Sequence, residues 1–149
     1  MFNIPLVKNM RVEQLLERKA KKGTESLPLD GTTVRMAAQF MRVKKISSVV
    51  FMKGEKPAGI LTERDISNTL ANYENPGQMP VSEVMTPWDK VKTIHIRSTV
   101  GDAQKEMIEN GHRHGFAVGD GGNLEGVFSQ RDINDAHYRN EELIETQRQ

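Results

Sequence analysis

The 149-residue sequence contains no cysteine. That absence removes disulfide bridges, thiolate metal sites and cysteine nucleophiles together. No apolar run approaches the roughly 18 residues that a membrane-spanning helix needs. The opening residues, MFNIPLVKNMR, lack the basic start and long apolar stretch of a secretory signal. Charge is nearly balanced, with 21 Lys and Arg against 20 Asp and Glu, so no bulk attraction toward nucleic acid or anionic membrane is expected. There is no Walker-type glycine loop, no nucleophile–base pair at readable spacing and no set of metal ligands. What remains is an ordinary composition of 36% hydrophobic and 28% charged residues. It suits a cytoplasmic protein built as one compact domain or as two small halves sharing a core.

What the sequence does contain is a duplication. GILTERDI at 59–66 returns as GVFSQRDI at 126–133, an offset of 67. Upstream, Thr33-Val34, Ala37 and Met41 return as Thr99-Val100, Ala103 and Met107, an offset of 66. The slip of one residue falls where KGEK becomes GDGGN, and insertions belong in turns. Two tandem copies of one unit are the simplest account.

Each copy carries the same order of elements. Val34, Ala37, Ala38 and Met41 recur at helical spacing, as do Val100, Ala103, Met107 and Ile108, with Thr99 as N-cap and Asp102 in the first turn. Strands are expected over 49–52 and 116–118, then a glycine turn, then strands over 58–61 and 124–128. A further helix begins at each hydroxyl residue, and short strands over 26–29 and 91–96 precede each unit. The class is α+β, each copy running β-α-β-β-α. The expected boundaries are 1–72 for an N-terminal helix plus the first domain, 73–80 for the linker, and 81–149 for the second domain with a short C-terminal tail. NYENPGQMP supplies the linker, through its prolines and glycine.

The duplicated endings carry the chemistry. Thr62 with Asp65, and Ser129 with Asp132, place a hydroxyl three residues before a carboxylate at a strand-to-helix junction. One reading is structural: a capping box in which hydroxyl and acid satisfy each other's backbone N–H. The other is ligand binding. A helix N-terminus suits a phosphate, Arg64 or Arg131 adds a forked donor, and the carboxylate can accept from both ribose hydroxyls. Gly59 and Gly126 would then let a base approach the backbone.

These stretches, with the lead-in VSEVMTP at 81–87 and RHGFAV at 113–118, resemble a pair of cystathionine-β-synthase (CBS) domains forming one Bateman module over roughly residues 10–138. The resemblance implies two domains packed through their sheets about a pseudo-twofold axis. Their clefts would take an adenosine compound: AMP, ADP or ATP foremost, with S-adenosylmethionine or NAD as alternatives. It implies ligand contacts from Gly59, Ile60, Thr62, Arg64 and Asp65, and from Gly126, Val127, Ser129, Arg131 and Asp132. Arg113 and His114 would face the phosphate of the Asp65 cleft, where the first copy offers the opposite cleft only Ser47 and Ser48. Gly115-Phe116 and Val49-Val50 stand where leucine-proline is frequent in the family. A homodimer is implied, formed through the Ala/Met-rich helical stripes.

The remaining features have plainer readings. His112, Arg113 and His114 are consecutive, which ill suits a metal site because strand residues alternate faces. His95 and His137 read as surface or rim residues. Met36, Met41, Met52, Met79, Met85 and Met107 read as core filling. Arg18, Lys19, Lys21 and Lys22 read as a solvated helix end. Trp88 suits either stacking on a ligand or packing at the linker. The leading expectation is a regulatory module that senses adenosine nucleotides, requires no cofactor and signals to an unidentified partner. Its rival is a structural dimerisation module whose motifs are only caps. An enzyme is not expected, and any regulated activity would sit on another polypeptide or a larger chain.

Overall fold

The computed structural model describes residues 4–19 and 24–148. In chain order the elements are α1 (Val12–Arg18), β1 (Ser26–Pro28), α2 (Val34–Lys44), β2 (Ser48–Lys53), β3 (Lys56–Thr62) and α3 (Glu63–Asn72). Then come β4 (Thr86–Pro87), β5 (Thr93–His95), α4 (Val100–Glu109), β6 (His114–Val118), β7 (Leu124–Ser129) and α5 (Gln130–Arg148). Two compact units result: residues 24–91 form one, and residues 1–23 with 92–149 form the other.

In the contiguous unit the sheet order is β1-β2-β3-β4, with β1 parallel to β2 and the other pairs antiparallel. In the other it is β5-β6-β7, again one parallel and one antiparallel pair. Both hairpins carry a bulge at the repeated position, after Phe51 and after Ala117. The slip of one residue does lie in their turns. Lys53 pairs with Lys56 around Gly54, which has φ +63°, whereas Gly119 to Asn123 closes a longer loop with Gly122 at φ +78°. Both values lie where glycine alone is unstrained.

Thr33 and Thr99 cap α2 and α4 as expected, each hydroxyl accepting an N–H three residues on. The expected stripes bury Val34, Ala37 and Met41 against Val49, Phe51 and Leu61, and Val100, Ala103 and Met107 against Phe128 and Ile133. Each of these side chains except the two alanines contributes about 1.5–3 kcal/mol. Val34, Ala37, Met41, Val100, Ala103 and Met107 are thus covered within their own units, whereas Ile108 at the end of the second stripe is exposed. Met36 and Val43 on α2 and Ile108 on α4 are large apolar side chains left exposed on these helices. Met36 is therefore not core, while Met79 and Met85 are partly buried against the first core.

Two expectations concern boundaries. The N-terminal helix is expected with the first copy, and the lead-in at 81–87 with the second. Instead Val7, Met10, Val12 and Leu15 join the core of Val100 and Phe128, whereas Val81 joins that of Val34 and Leu61. The docking is the same in both places. Val12 N–H donates to the Ser98 carbonyl (2.8 Å) and Val100 N–H to that of Met10 (2.7 Å); Val81 N–H donates to Thr32 (3.0 Å) and Val34 N–H to Met79 (2.9 Å). A seven-residue helix such as α1 is too short to persist alone, so this docking is what holds it. Second, the expected C-terminal tail continues α5 to Arg148. No glycine or proline follows Asp132 to stop it, and Arg139 bonds Asp135 one turn back (2.9 Å).

At the end of β5, Arg97 N–H donates to His95 Nδ1 (3.1 Å), so the neutral ring keeps its proton on Nε2 and donates it to Asp120 (3.0 Å). Arg97 also bonds Asp120, and its guanidinium first, then His95, holds that carboxyl below its ordinary value. A lowered folded pKa contributes stability that is present above the unfolded value and lost as pH falls through the folded one. Asp120→Ala should therefore shift the urea midpoint slightly downward at neutral pH, and parent and variant should converge below about pH 4. A difference that persists in strong acid would assign the contact another role.

Candidate functional site: two strand-to-helix junctions

The duplicated motif forms the same local structure twice. At β3–α3, Thr62 Oγ1 accepts the Asp65 N–H (3.3 Å), while Asp65 Oδ2 accepts from Thr62 N–H (2.8 Å) and Thr62 Oγ1 (3.0 Å). At β7–α5, Ser129 Oγ accepts the Asp132 N–H (3.1 Å) and Asp132 Oδ2 accepts the Ser129 N–H (2.8 Å). Both are complete capping boxes, worth about 1 kcal/mol in each hydroxyl. The next N–H is also engaged: Glu63 donates to the Ser47 carbonyl (3.1 Å) and Gln130 to that of Arg113 (2.8 Å). Both carboxylates are half-buried, and their caps use Oδ2.

Gly59, Ile60, Thr62, Arg64 and Asp65 come together at the first junction, and Gly126, Val127, Ser129, Arg131 and Asp132 at the second. His114 lies opposite Ser129 in the β6–β7 register, directly after Arg113. Ser48 lies opposite Thr62 in the same way. Arg64 and Arg131, second residues of their helices, are exposed. Among the described residues no group of three or more His, Asp and Glu could hold a metal ion, and no helix is long and apolar enough to cross a membrane.

Each motif glycine lies against a lead-in. A Cβ on Gly59 would lie 2.4 Å from Met85 Sδ and 2.7 Å from the Thr86 carbonyl oxygen; one on Gly126 would lie 2.9 Å from Leu16 Cδ2. Each glycine thus admits a docked lead-in. Leu16 and Met85 stand 69 residues apart, as do Met10 and Met79, and Val12 and Val81. The duplication therefore extends into both lead-ins. MRV against MPV was the available signal, hidden by an offset different from that of the helices.

Lys19 is the site residue that sequence reasoning missed. Rather than ending a solvated helix, its ammonium lies 3.6 Å from Asp132 Oδ2 and donates to the Val127 carbonyl, with its side chain only 15% exposed. Docking of α1 against β7 and α5 carries it there. Lys21 and Lys22 lie outside the described residues. At the first junction the residue 69 positions on is Trp88, half-buried in a turn beside β3.

The model of the CBS domain matches the chain twice, over residues 26–72 and 81–138. An uncharacterized 17.7 kDa protein of Acidianus ambivalens is 33% identical over 102 residues, covering 68% of this chain and 60% of that protein. The chain thus spans less than two thirds of that relative. A CBS domain protein from Pyrobaculum aerophilum, solved in complex with AMP, is 24% identical with a TM-score of 0.71, covering 87% of this chain and 99% of that one. The CBS domain pair of protein MJ0100, solved with 5′-methylthioadenosine and S-adenosyl-L-methionine, is 22% identical with a TM-score of 0.71, covering 85% and 94%. With two matches to one domain, two repeated α+β units and the same junction built in each, the chain belongs to the CBS-domain family.

Proposed function

We propose that this CBS-domain pair is a regulatory module that binds an adenosine-containing compound at its strand-to-helix junctions and signals its presence to a partner protein. The observation that carries the reading is a cation kept twice where local electrostatics oppose it. A helix N-terminus bears about half a positive charge, so an arginine in the first turn is unfavourable there. Arg64 and Arg131 both occupy that turn, exposed, in a capping box that calls for no arginine. A phosphate at either junction would reverse the sign of the effect. The ligands of the solved neighbours, AMP and S-adenosyl-L-methionine, support an adenosine class.

A second reading has its own support. Both capping boxes are complete, and both motif glycines are accounted for by the lead-ins. A module with caps and no ligand would look the same at those atoms. The arginines separate the two. Arg131→Gln should leave stability unchanged or raise it by about 0.3–1 kcal/mol. Together with Arg64→Gln it should weaken AMP by roughly tenfold or more while sparing adenosine. Calorimetry over AMP, ADP, ATP, NAD, S-adenosylmethionine and adenosine reads both quantities. For the parent, a ligand at about 100 times its Kd should add about 2.7 kcal/mol of stability. If none of the compounds binds at millimolar concentration, the structural reading stands.

A further inference from the structure

The two junctions differ in what already occupies them. At the second, the Lys19 ammonium donates to the Val127 carbonyl and lies 3.6 Å from Asp132 Oδ2, so it sits on two of the residues proposed to hold a ligand. It is held there with little freedom. Leu15 is buried in the core, and Leu16 fills the space that Gly126 leaves open. The Lys19 and Asp132 side chains are 15% and 30% exposed, so the pair is screened less than one in open water. A hydroxyl or amine of an incoming ligand is a donor, and so is the ammonium. The two therefore compete for the same acceptors.

We propose that Lys19 is an internal occupant of the second junction, and that ligand binding at Asp132 expels it. This rests on the reading of the junctions as ligand sites. At the first junction the residue 69 positions on from Lys19 is an indole, Trp88. Adenosine should accordingly prefer the Asp65 junction, and occupancy of the Asp132 junction should be reported by Lys19.

Amine reactivity reads this directly. Trace acetylation of the whole protein, resolved by mass spectrometry, compares Lys19 with the exposed Lys8. Lys19 should react about fivefold more slowly in the ligand-free parent, the scale of an ion pair near the surface. Asp132→Asn should erase that protection without any ligand, and saturating adenosine should erase it in the parent. In an Asp65→Asn background, Lys19→Met should bind adenosine about fivefold more tightly by the same measure. Equal labelling of Lys19 and Lys8 in the ligand-free parent would overturn the proposal whatever the ligand does. Calorimetric binding of adenosine to the Asp65→Asn variant that leaves Lys19 protected would overturn expulsion alone and spare the proposed function. No binding of any adenosine compound would overturn both.

Discussion

Gly115→Val should destabilise the protein by about 3 kcal/mol, the upper part of the range for forced overpacking. A Cβ on Gly115 would lie 2.2 Å from Phe128 Cζ, with two more ring atoms within 2.7 Å. The ring cannot retreat, because Phe128 is 1% exposed and packed among Ile94, Ala117 and Ile133. The first copy solves the same position differently. There Val49 lies opposite Leu61 in register, as Gly115 lies opposite Phe128. The two copies hold exchanged pairs, a branched residue facing leucine and a glycine facing phenylalanine. Phe128→Leu alone should cost about 1–2 kcal/mol through the space it leaves. Added to Gly115→Val, it should return stability instead, so that the double variant unfolds at higher urea than Gly115→Val alone. A coupling of at least about 1 kcal/mol is expected for side chains in direct contact. Simple additivity of the two losses would show that Gly115 is required for some other reason.

The second large effect is expected at Gly59, and its repeat partner provides the comparison. Gly59→Ala places a methyl group 2.7 Å from the Thr86 carbonyl oxygen, a backbone atom paired within β4, as well as against Met85. Relief requires β4 to leave β3 or the whole lead-in to shift, and Val81 is anchored in the core at 0% exposure. A loss of about 2–3 kcal/mol follows. Gly126→Ala meets only the Leu16 side chain, at 2.9–3.4 Å, and a rotamer change can absorb much of that. Its cost should stay below about 1 kcal/mol. Equal losses in the two variants, measured by urea unfolding, would mean that the lead-ins do not dock as described. The contrast also separates packing from recognition, because neither alanine touches a capping hydroxyl or carboxylate.

The sequence made the repeated unit legible because its signals were local. Apolar spacing in Val34 to Met41 and Val100 to Met107, threonine caps and a hydroxyl three residues before an acid each act within one or two turns of chain. The family resemblance then supplied the fold class. What could not be seen was which copy each lead-in completes. MRV and MPV look alike, and the choice between cores depends on contacts across tens of residues rather than on local pattern. The misplacement of Lys19 has the same origin. Its basic neighbours suggested a solvated end, and only the docking of α1 on β7 sets its ammonium beside Asp132. The lead-ins that approach Gly59 and Gly126 stay hidden in the sequence for a related reason. A missing Cβ announces a close approach but not the identity of what approaches.

The crossing of the lead-ins has a consequence for the order in which the two cores can close. Val34 meets its lead-in partner Val81 47 residues later, within one continuous stretch, whereas Val12 waits 88 residues for Val100. At equilibrium the difference is small, since closing the longer loop costs only about 0.6 kcal/mol more. In time it is not small. During synthesis the core of Leu61 has all its parts once residue 91 has been made. By then Met10, Val12 and Leu15 have already been made, without Phe128 or Ile133 to cover them. The nascent chain thus carries an apolar, uncovered segment while the first core is made, and that core holds its own copy of the same segment, around Val81, in the place where the other would bind.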